Sequence, residues 1–121
     1  MSAKVKRSSP SPASPNRAMN DLAARLADLA AQGKTITYGT LARDLGWRVA
    51  DLTAALERLM EQDAAAGRPQ RAALMEGRLS NGLPAQGFFL KLAALGIHPA
   101  DPASYVSETR SRLWQDPPQG S

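Results

Sequence analysis

Between Tyr38 and Glu57 the chain reads YGTLARDLGWRVADLTAALE, and one pair of residues within it restricts the fold more than any other feature. Ala42 is small enough for another helix to cross it closely. Gly46, four residues on, tolerates the left-handed backbone of a tight turn. Leu41, Leu45, Trp47, Leu52 and Ala55 flank the pair at spacings that put them on the inner faces of two helices meeting at a steep angle. This is the pattern of a helix-turn-helix, whose second helix must stand clear of the body to enter a major groove. An αα-corner inside a helical core satisfies the same pattern with no nucleic-acid role.

Apolar spacing and glycine punctuation extend the reading in both directions. Met19, Leu22, Leu26 and Leu29 share one face of a helix that starts near Ser14 or Asn16 and stops at Gly33. Lys34 to Thr37 is β-branched and short, suited to a stub of strand, and Thr37 can cap a helix over Tyr38 to Leu45. A longer helix from Val49 to Ala66 carries the inward stripe Val49, Leu52, Leu56, Leu59 and Met60. Beyond Gly67, Arg71 to Met75 reads as a strand, Asn81-Gly82 as a tight turn, and Leu83 to Gly87 as a return strand that Pro84 confines to an edge. A helix follows from Phe88 or Phe89 to Leu95. Another is capped at Asp101-Pro102, carries Tyr105, Val106, Thr109 and Leu113 on one face, and ends before Pro117-Pro118.

The expected fold class is therefore α+β, mainly α: a winged helix-turn-helix with a small β-hairpin as the wing over 71–89 and an added C-terminal helix. With 121 residues there is material for one domain, placed at 16–116. Residues 1–15 are Ser/Pro-rich and too poor in apolar side chains to bury a core, so a disordered basic tail is expected there, and a disordered terminus over 117–121.

Charge is unevenly distributed. The net +4 is carried by Lys4, Lys6, Arg7 and Arg17, whereas residues 18–121 hold 11 basic and 11 acidic side chains. A nucleic-acid surface must then be local. Residues 67–91 supply one, with Arg68, Arg71, Arg78 and Lys91 against the single acid Glu76. Arg68 and Arg71 near the helix end are suited to phosphate, the loop around Arg78 to the backbone or minor groove, and Lys91 belongs to the same basic, nucleic-acid-binding stretch. On the 49–66 helix and its entry, Arg48, Thr53 and Arg58 lie off the inward stripe and can reach bases or phosphates. Asp51 and Glu57 share that side and repel phosphate, so low sequence specificity is expected.

Two resemblances rest on these residues. Thr37-Tyr38-Gly39-Thr40-Leu41-Ala42-Arg43-Asp44-Leu45-Gly46 resembles the entry to the helix-turn-helix of alkylguanine alkyltransferases and their alkyltransferase-like relatives. That resemblance implies a role for Tyr38 in turning a damaged base out of the duplex. The family's Pro-Cys-His-Arg segment is absent, so alkyl transfer is not implied, and the family's stack-filling arginine falls on Leu52 in an ungapped alignment. Leu74 to Phe89, LMEGRLSNGLPAQGFF, with the Tyr105 to Trp114 helix, is similar to short bacterial proteins that combine TYGxLA and GLPxxGF motifs. This second resemblance spans most of 34–114 and implies the winged architecture.

Other chemistry finds little footing. The chain has no cysteine and one histidine, His98, set before Pro99 between helices. Structural and catalytic metal sites need three or four convergent ligands, so no metal or other cofactor is expected. No serine lies in a nucleophile-elbow context and no glycine-rich phosphate loop is present, so an enzyme is not expected. Trp47 and Trp114 suit burial as anchors. No apolar run of membrane-spanning length occurs, no secretory signal opens the chain, and a cytoplasmic location is expected. The expected partner is double-stranded DNA, with a protein partner or a homodimer as the alternative; no membrane or small-molecule substrate is expected.

Overall fold

The computed structural model describes residues 15–118. The expected tail thus lies outside the described residues except for Pro15, as do residues 119–121. The described chain is mainly α-helical: α1 (Pro15–Gln32), β1 (Ile36–Thr37), α2 (Tyr38–Leu45), α3 (Val49–Ala66), a 3-10 turn (Arg71–Leu74), β2 (Met75–Glu76), α4 (Gln86–Ala94) and α5 (Pro102–Gln115).

Local chemistry sets the helix limits. The Thr37 hydroxyl accepts the Thr40 N–H and caps α2, as read from the sequence. Gly46 closes α2 at φ 75°, and its N–H and that of Trp47 return to the last carbonyls of the helix. The chain then reverses into α3 with Ala42 buried beneath the crossing. Leu52, Leu56, Leu59 and Met60 point inward as expected, but Val49 is about half exposed. It occupies the first position of α3, directly after the exposed Arg48.

α1 packs on α5, α3 and the 3-10 turn, while α2 and α4 pack on α3. At the centre lies the short segment Ala72 to Met75, every residue of which is buried. Leu22, Leu26, Leu59, Leu92, Val106 and Leu113 close around it. Arg110 of α5 aims its guanidinium back at this region, donating to the carbonyls of Ala73 at 2.7 Å, Met75 at 3.0 Å and Gly82 at 2.8 Å.

The segment expected to form an antiparallel hairpin does something else. Arg71 to Leu74 coils into the 3-10 turn, and β2 pairs in parallel with β1, Ile36 opposite Met75 and Thr37 opposite Glu76. The return strand over 83–87 does not form: Gln86 and Gly87 already belong to α4. The reason lies in where the backbone groups find partners. Asp63, fully buried on α3, accepts the Arg71 N–H at 3.0 Å and its guanidinium at 2.8 Å, and this winds the chain at Arg71. Arg110 takes the carbonyls of the following residues, and Pro84 has no N–H to offer a ladder. The Asn81-Gly82 turn does form, both residues at positive φ and the Leu83 N–H returning to the Ser80 carbonyl at 2.9 Å. It sits inside a closed loop, not between strands.

Gly77 holds that loop shut. Its N–H bonds the Leu83 carbonyl at 2.8 Å, and a Cβ there would meet the Ala85 Cα and N at 2.9 Å. Gly39, in contrast, has nothing within 4 Å of the Cβ position.

Two outcomes follow for chemical denaturation. Asp63→Ala leaves Arg71 buried without its counter-charge and lowers stability by about 3–5 kcal/mol; a loss under about 1 kcal/mol would contradict this role. Gly77→Ala lowers stability through backbone collision, whereas Gly39→Ala is neutral or raises stability by up to about 1 kcal/mol. Equal effects of the two alanines would contradict the loop geometry.

Candidate nucleic-acid interface

Because Gly46 turns the chain sharply, α3 is covered on its inner side only. Arg48, Ala50, Asp51, Thr53, Ala54, Glu57 and Arg58 are all exposed over its entry and first turns. Between this outer side, the start of α2 and the 77–87 segment runs a groove of about 550 Å³. Its walls are largely apolar, with Val49, Leu56, Met60 and Phe88 among them, while Arg43 and Arg78 contribute cations and Glu57 an acid. A cleft of this size is within the range that accepts a nucleobase or a small side-chain cluster.

Tyr38 stands at the α2 end of the groove. It is half-buried, and its hydroxyl accepts the Ala85 N–H at 3.2 Å, tying the first turn of α2 to the residue before α4. Burial pushes its phenol pKa up, and the Ala85 N–H partly offsets that. The ring is thus part of the groove wall and the oxygen helps position the loop opposite.

The cations read from the sequence divide into two groups. Arg48 is exposed, with a loose approach of 3.6 Å to Asp51. Arg58 is exposed on α3, and Arg78 is exposed on the loop with no ion pair among the described residues. Thr53 is exposed, and its hydroxyl donates to the Val49 carbonyl at 3.0 Å one turn earlier. These four side chains border the outer face of α3 or the loop beside it.

The others are engaged elsewhere. Arg71 is buried against Asp63 and has no surface to offer a phosphate, which corrects the expectation for that residue. Arg68 also binds Asp63, through Nε at 3.1 Å, with half of its side chain exposed. Both lie beyond the far end of α3 from Arg48. Lys91 on α4 is held by Glu61 of α3 at 2.6 Å, and that ammonium keeps the Glu61 carboxyl below the usual carboxylate range. Lys91 braces two helices and is not a freely presented charge.

Two cations were missed. Arg43 is exposed on α2, lines the groove and has no ion pair among the described residues. It lies within the motif that locates the α2–α3 corner, and its position one residue after the crossing Ala42 is the signal that could have found it. Arg110 was missed too; burial lowers its guanidinium pKa, and its partners are distant carbonyls that no local pattern reveals. Leu52, where the alkyltransferase resemblance would put a stack-filling arginine, is fully buried. Among the described residues no helix is long and apolar enough to cross a membrane.

Comparison with known proteins finds no matching family model, no matching curated protein and no matching solved structure.

Proposed function

We propose that this is a non-catalytic DNA-binding protein in which α2 and α3 act as a helix-turn-helix and the 77–85 loop takes the place of a wing. One observation carries the reading. The corner at Gly46 leaves the first turns of α3 open to solvent, and exposed cations, Arg43 and Arg78, lie on either side of the groove beside it. With Arg48 and Arg58 they form a cationic frame around α3, the arrangement a phosphate backbone favours when a helix sits in the major groove. Asp51 and Glu57 on the same face limit affinity and leave few side chains suited to base edges, so binding is of low sequence specificity.

A second reading is favoured by the groove itself. Its apolar lining and the Tyr38 ring at its α2 end provide space for one extruded base next to α3. Together with the Tyr38 motif, this supports recognition of alkylated DNA without repair. The buried Leu52 leaves the base stack without the family's arginine, so any gap must be filled by another group.

For the principal reading, log K for a short duplex falls linearly with log salt, and Arg78→Ala reduces the slope by about 1, as expected for one lost phosphate contact. Arg43→Ala acts likewise. Binding that ignores salt and survives both substitutions contradicts the reading, and capture of a stable protein partner with no duplex binding selects an adaptor instead. For the second reading, an alkylguanine duplex binds more tightly than a matched control, and Tyr38→Ala removes the difference while Tyr38→Phe keeps part of it. Equal affinity of the two duplexes for the unaltered protein contradicts it.

A further inference from the structure

Leu79 is the most exposed large apolar side chain in the described protein, 99% accessible, and its backbone is at φ 59°. Both features are unfavourable for a leucine: the side chain gains nothing from burial, and a branched L-residue is strained in the left-handed region. Strain of this kind persists only where surrounding structure over-determines it, and it clusters at binding sites. The surroundings here do so. The loop is closed by Gly77 N–H to the Leu83 carbonyl at 2.8 Å and by Leu83 N–H to the Ser80 carbonyl at 2.9 Å. Arg110 anchors the Gly82 carbonyl at 2.8 Å, and Gly77 packs without a Cβ against the Ala85 backbone. Leu79 is therefore presented from a braced pedestal.

What lies beside it indicates what it meets. Arg78 is exposed, unpaired among the described residues, and shares the groove wall with the outer face of α3. From Gly77 to Ala85 the loop holds this one cation and no acid. An apolar tip next to a free guanidinium on an acid-free loop suits a polyanion whose interior is apolar. A duplex is such a partner, with phosphates outside and stacked bases within.

Resting on the DNA-binding reading above, we infer that Leu79 is a wedge. It enters a base step of a duplex held against α3, while Arg78 takes a flanking phosphate. The step it unstacks bends the duplex, which brings more backbone to the cationic frame of α3.

The test uses the full chain and a set of short mixed-sequence duplexes carrying 2-aminopurine at successive positions, whose fluorescence rises on unstacking. The unaltered protein raises the fluorescence at one or more positions. Leu79→Asn, a residue that accepts positive φ, folds with an unchanged or higher Tm, abolishes the rise and weakens binding on the order of tenfold. Salt-dependent binding with no rise at any position, or a rise that survives Leu79→Asn, overturns the wedge and leaves DNA binding intact. Absence of any duplex binding overturns both. Sedimentation that gives a dimer for the unaltered protein and a monomer for Leu79→Asn, with no unstacking by either, overturns the wedge and makes Leu79 a contact between copies.

Discussion

The Asp63 carboxylate, fully buried near the end of α3, governs more of this molecule than any apolar contact. Arg68 and Arg71 converge on it at 3.1 and 2.8 Å, and it also accepts the Arg71 backbone N–H. A charge in that position is stable only with its counter-charges and hydrogen bonds in place. The chain leaving α3 must therefore wind immediately, and this creates the 3-10 turn that carries Ala72 to Leu74 into the core. From there β2 pairs with β1 in parallel, and Gly77 and Arg78 follow directly into the groove wall. Arg110 completes the arrangement from α5 by accommodating three otherwise distant carbonyls.

This division of labour explains why the overall charge is a poor guide to the proposed surface. Arg71, Arg110 and Lys91 hold elements together, and Arg68 supports Arg71 on the same carboxylate. Arg43, Arg48, Arg58 and Arg78 remain on or around α3, where their charge faces outward. With Arg68, Arg71, Lys91 and Arg110 engaged in holding the fold, the rest of the body is not basic as a whole, and the cationic frame comes from where Arg43, Arg48, Arg58 and Arg78 sit. Asp51 and Glu57 share that face, so on the proposed reading phosphate contacts outweigh base contacts.

The sequence made the helices legible, because each rests on signals a few residues apart. The limits of α3, Val49 and Ala66, follow from its apolar stripe and from Gly67, and those of α2 from the Thr37 cap and Gly46. The same local reasoning found the Asn81-Gly82 turn. It misjudged what surrounds the turn, because the decisive partners are remote: Asp63 acts on Arg71 across 8 residues and Arg110 on Ala73 across 37. A run such as Arg71-Ala72-Ala73-Leu74-Met75 has enough apolar character for a strand, and nothing within it declares that a buried carboxylate will coil it. The candidate site was legible in the same proportion. Arg48, Thr53, Arg58 and Arg78 are solvent-facing as their positions implied, Arg71 is not, and the groove that joins Tyr38 to α3 emerges only when the 77–85 loop is placed.

On the proposed reading the outer face of α3 and the loop beside it form one surface for duplex DNA. Backbone amide shifts recorded during titration with a short generic duplex test it most directly. The expected perturbations concentrate at Arg43, Arg48 to Arg58 and Gly77 to Gly82, while the outer face of α5 stays silent. Shifts confined to α5 and the Arg68–Pro69 end of the molecule, or none at duplex excess, would contradict it.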